Sequence, residues 1–104
     1  MIKQIQHTLI EAQDAAYSGL EIRPRNPIMC QLFNEVVDGT SVALQLIEDG
    51  LNEDARNVIV ELTHNTDDMA NTPGVKSVVK RIPRYDCAKD KTLHYLWEAA
   101  YYAK

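Results

Sequence analysis

Glu61 and His64 stand three residues apart, the Glu-x-x-His spacing with which helical bundles offer a carboxylate and an imidazole to a di-iron or di-manganese centre. Asp68 falls on the same side of a helix. That trio lies nearly opposite the apolar stripe Val58, Leu62 and Met69, and no second Glu-x-x-His exists. One outward-facing pair cannot close a metal shell, so the expectation is a solvated face with no bound metal. His7 with Glu11, and His94 with Glu98, are single i,i+4 pairs expected to be surface contacts. Cys30 and Cys87 form neither a Cys-x-x-Cys pair nor a zinc spacing, and are expected to be free, small, buried hydrophobes. The glycines are too scattered for a phosphate-cradling loop, and no serine sits in a nucleophile elbow. No catalytic residue is assigned, and no cofactor is expected.

Charge is more informative. Between positions 35 and 68 there are nine carboxylates and one arginine, a net of −8. Between positions 76 and 91 there are six cations and two carboxylates, a net of +4. Lys80, Arg81 and Arg84, with Tyr85 beside them, form the densest part of the basic stretch, and Arg23 and Arg25 can join it only through the fold. One reading is compensation of helix C-terminal carbonyls by cations. The sharper one is an anion site of arginine forks for a phosphorylated small molecule such as a nucleotide, or for an acidic partner. Glu48 and Asp49 break the same dipole rule, which points mildly to a binding surface.

The final segment carries Leu93, Tyr95, Leu96, Trp97, Ala99, Ala100, Tyr101, Tyr102 and Ala103, with only His94 and Glu98 clearly polar. A helix apolar nearly all round must be covered on most sides, and a chain this small can hardly cover a terminal helix by itself. Trp97 shares the stripe of Leu93, Leu96 and Ala100, which predicts a core position. Tyr95 and Tyr102, seven residues apart on another side, are predicted to be the exposed or interfacial pair.

These residues need helices to position them. Ile2, Ile5, Leu9, Ala12, Ala16 and Leu20 recur at helical spacing, and Ser18-Gly19 suits that helix's end. Arg23-Pro24-Arg25-Asn26-Pro27 is an extended connector ending in an N-cap and a first-turn proline. A second helix follows through Ile28, Met29, Leu32, Phe33, Val36, Val37, Ala43, Leu44 and Ile47, with a kink or break expected at Gly39-Thr40 and closure at Gly50. Asn52 is expected to cap a third helix on Ala55, Val58, Ile59, Leu62, Thr66 and Met69. The β-branched run 57–62 favours a strand in isolation, but helical spacing continues past it. Thr72-Pro73 opens a short helix that Pro83 stops, and a last helix begins at about Asp86 or Lys89 and runs to Tyr102.

The prediction is an all-α fold, a small bundle of four to five helices without a sheet, in one domain spanning 1–104. A chain of 104 residues with 45% hydrophobic and 25% charged residues has room for one core. Its net charge of −4 argues against a nucleic-acid partner. No apolar run is long enough for a membrane span, and Met1-Ile2-Lys3-Gln4 lacks a signal peptide's layout, so a cytoplasmic protein is expected. The leading functional reading is a non-enzymatic binding protein, acting as a homo-oligomer or through a protein partner, of the inhibitor, immunity or adaptor type. The alternative is a module that sequesters or senses a phosphorylated ligand at Arg23, Arg25, Lys80, Arg81, Arg84 and Tyr85. A small helical enzyme or metal protein using Glu61, His64 and Asp68 comes third.

Overall fold

In the computed structural model, which describes residues 2–104, five helices follow one another: α1 (Ile2–Leu20), α2 (Pro27–Glu48), α3 (Asn52–Ala70), α4 (Pro73–Arg81) and α5 (Pro83–Tyr102). The described residues contain no strand, as the helical periodicity predicts. The long helices form an antiparallel four-helix bundle in the cyclic order α1, α2, α3, α5, and α4 closes one end. No helix is long and apolar enough to cross a membrane.

The punctuation explains the boundaries. Asn26 Oδ1 accepts from the backbone N–H groups of Ile28 and Met29, with Pro27 in the first turn of α2. Gly50 ends α2 with φ of 78°, and Gly50 N–H to Ile47 O and Leu51 N–H to Leu46 O make a Schellman closure. Thr72 caps α4. Pro83 has two roles, since it follows the end of α4 and is also the first residue of α5. The last helix therefore starts three residues or more before the position expected from its apolar pattern. Likewise Asn52 is the first residue of α3, and Leu51 occupies the N-cap without a side-chain bond.

Gly19, expected at the end of α1, does lie in its last turn, whereas Gly39, expected to kink or break α2, does not; both let helices approach. Gly19 lies within α1, where an added Cβ would come within 2.5 Å of the Phe33 ring on α2. Gly39 lies within an unbroken α2, where a Cβ would meet Leu62 of α3 at 2.6 Å. Thr40 does not break the helix either, because its hydroxyl donates to the Val36 carbonyl at 2.7 Å and accepts from Gln13 Nε2 at 3.0 Å. Gln13 also donates to Ser41 Oγ, tying α1 to α2.

The core has two parts. At the α4 end it is built from large groups, including Met29, Leu32, Phe33, Val36, Val75, Val78, Tyr85 and Leu96. At the opposite end Leu9, Ile47 and Ile59 meet a floor of Ala43, Ala55, Ala99, Ala100 and Ala103. Small residues there draw the helix axes together. Ile2 is nevertheless exposed, so the buried line of α1 runs through Thr8, Leu9, Ala12, Ala15, Ala16 and Gly19 rather than starting at Ile2. The cysteines differ from expectation too: both are free, but Cys30 is half-buried and Cys87 is exposed.

Candidate functional site

The buried line of α5 is Tyr85, Thr92, Leu96, Ala99 and Ala100. Trp97 lies roughly 115° around the helix from the centre of that line, at about 100° per residue. It is 42% exposed, and Tyr101, one turn on, is 68% exposed. This reverses the expected assignment. Leu93, used as a stripe member, sits on the flank, and it drew Trp97 toward a core that passes along another side. Tyr95 packs against the large-residue core, and Tyr102 is half-buried beside the cavity at the alanine-rich end. The exposed aromatic pair on α5 is thus Trp97 and Tyr101, not Tyr95 and Tyr102.

Trp97 and Tyr101 line a groove of about 280 Å³ between α3 and α5, together with Val60, His64, Ala100 and Lys104. The His64 ring stands edge-on to Trp97, 5.2 Å between centroids and 88° between planes. Lys104 Nζ lies 5.9 Å from the Tyr101 ring centre, within cation–π range. Beneath the groove the buried Thr63 hydroxyl contacts the Leu96 carbonyl at 3.2 Å, holding α3 to α5. The result is a rigid apolar floor under amphipathic rings, the kind of surface that gains most when another protein displaces its water. His64 therefore serves the aromatic face. It assembles no ligand set with Glu61 and Asp68, and among the described residues no three His, Cys, Asp or Glu side chains group closely enough to hold a metal ion.

The basic residues gather at the other end. Tyr85 is fully buried against Phe33, and its hydroxyl donates to the Pro24 carbonyl at 2.9 Å and accepts from Asn26 N–H at 3.1 Å. It pins the 22–26 connector to the start of α5 and has no face left for an external anion. That tether brings Arg23 and Arg25 to Arg84, whose guanidinium donates to the Arg23 carbonyl. Arg23 in turn reaches the Leu20 and Ile22 carbonyls at 3.4 and 3.3 Å, which places a cation at the end of α1. Lys80 and Arg81 occupy the last turn of α4. Arg23, Arg25, Lys80, Arg81 and Arg84 are all exposed, and none belongs to an ion pair among the described residues. Lys89 does: it contacts Asp86 at 3.0 Å and Asp90 at 3.3 Å. Burial pushes its ammonium pKa down, but those carboxylates outweigh burial and hold it above the ordinary lysine value. Lys89 is thus neutralised locally. His94 and Glu98 meet at 3.4 Å on the surface.

Compared with known proteins, the chain matches no family model, no curated sequence and no solved structure.

Proposed function

We propose that the chain is a non-enzymatic binding protein that docks a protein surface, another protein's or its own, on the α3–α5 face. The observation that carries this reading is the exposure of Trp97 and Tyr101 side by side over an apolar groove. Single exposed hydrophobes are ordinary, but contiguous aromatic area on a small domain marks an interaction surface. Inhibitor, immunity and adaptor proteins work through surfaces of this kind. In the test, tagged wild type and a Trp97→Ser/Tyr101→Ser variant are expressed in the source cells and recovered under mild conditions. A stoichiometric companion chain, whether the same protein or a different one, should accompany the wild type and be lost from the variant. Equal recovery from both would overturn the proposal.

A second reading draws on the five exposed cations at the connector end, which have no carboxylate partners. Arginine forks beside the uncapped start of α5 suit a phosphorylated small molecule. A ligand bound only by the folded state raises the melting temperature by mass action. Phosphate or a nucleotide should then raise it for wild type and not for Arg81→Ala. If a broad nucleotide panel shifts neither protein, the cations act only on helix ends.

A further inference from the structure

We infer that the occupant of the α3–α5 face is a second copy of this chain, laid side by side and antiparallel about a two-fold axis. The inference rests on the docking role proposed for that face and adds the partner and its direction.

The first ground is the distribution of charge along the rod. The molecule measures 42 × 22 × 17 Å. Glu48, Asp49, Glu53 and Asp54, all exposed, lie about the α2–α3 turn at one end, where they outnumber the exposed Lys3, Arg56 and Lys104. Arg23, Arg25, Lys76, Lys80, Arg81 and Arg84, all exposed, occupy the opposite end. None of these groups is used in an ion pair among the described residues. Two copies lying parallel set acid beside acid and base beside base. Two copies lying antiparallel carry each acidic turn along the basic half of its partner, where opposite charges within a Debye length of about 8 Å attract.

The second ground is area. A standard interface takes about 800 Å² from each partner. A long side of the rod, 42 Å by at least 17 Å, is commensurate with that, whereas an end of 22 by 17 Å covers less than half of it. Complementary poles therefore favour side-by-side closure over end-to-end chains. A two-fold axis through the middle of the α3–α5 face makes the contact self-complementary and lays each Trp97 groove, which lies in the half of the rod nearer the α2–α3 turn, on the basic half of its partner's same face.

Sedimentation equilibrium over a wide concentration range tests this on four proteins. They are wild type, Trp97→Ser/Tyr101→Ser, Glu48→Lys/Asp49→Lys and Lys80→Glu/Arg81→Glu, each first checked for native helix content by circular dichroism. All six positions are on the surface, and lysines at the end of α2 suit its dipole. Wild type should dimerise, and the aromatic variant's dissociation constant should rise by at least about tenfold, as for an interface hot spot. Each charge-reversed variant should dimerise more weakly than wild type. An equimolar mixture of the two should regain dimer, because one contact then pairs the two reversed ends and the other the two native ends, so opposite charges meet at both. Dimerisation that is indifferent to the aromatic variant, or a mixture that regains nothing, overturns the inference. So does a wild type that stays monomeric up to millimolar concentration. If that monomer still recovers a different protein through Trp97 and Tyr101, only the self-association falls; if it recovers none, the docking role falls with it.

Discussion

Tyr85 shows how far a residue's neighbours in sequence can mislead. It follows Arg84 in the most basic stretch of the chain, which suggests a surface ring beside an anion site. Yet it is fully buried, stacked near Phe33 at 6.3 Å, and its hydroxyl is committed to Pro24 and Asn26. Tyr85→Phe keeps the ring and deletes the hydroxyl, leaving the Asn26 N–H without that partner in a partly buried place. The expected loss is about 1–3 kcal/mol in denaturant unfolding, with faster amide exchange in the connector. An unchanged stability would mean that solvent satisfies those groups. Trp97 errs in the opposite sense. Its spacing with Leu93, Leu96 and Ala100 marks it as core, and only the true direction of the buried line, set by Tyr85, Thr92 and Ala99, turns it outward. Residues that pack were legible as a class, but which side each faces on an apolar-rich helix was not. Alanine and threonine, which carry no strong hydropathy signal, decide that direction here.

At the scale of elements the local signals were sound and their interpretation depended on tertiary contacts. Asn26, Gly50 and Thr72 act as the caps their types suggest. Gly19 was legible as a helix-ending residue and Gly39 as a helix-weakening one, but the neighbouring helix that each packs against is not shown by sequence. Replacing a helical glycine by alanine ordinarily gains about 1 kcal/mol from propensity. Gly19→Ala should do the reverse, since its methyl would fall 2.5 Å from the Phe33 ring. A net destabilisation of about 1–2 kcal/mol is expected once overpacking outweighs propensity. A rise in melting temperature would mean that Phe33 moves aside without penalty. Pro83 gives the same lesson in another form. Its meaning as a stop for α4 was clear, but proline is equally at home in a first turn, and only the packing of Tyr85 shows that α5 has already begun.

For the whole molecule, the helical bundle followed from periodicity, whereas the two surfaces that matter depend on which helices are neighbours. Arg23 and Arg25 join Arg84 because the connector folds back onto α5. Val60 and His64 join Trp97 and Tyr101 because α3 and α5 are adjacent in the bundle. Separation of the acidic turn from the basic end is also a product of topology: the net charges of the two sequence stretches were visible, but the placement of the 48–54 turn and of α4 at opposite ends of a 42 Å rod was not. The central claim is that the α3–α5 face is covered by a second copy, and Trp97 is the chain's only tryptophan. Its fluorescence reports on that face without any label. As the protein is concentrated, the emission should shift to the blue and acrylamide quenching should fall together, as the exposed indole becomes buried against the partner copy. An emission maximum and quenching constant that stay those of an exposed indole at every concentration would contradict it.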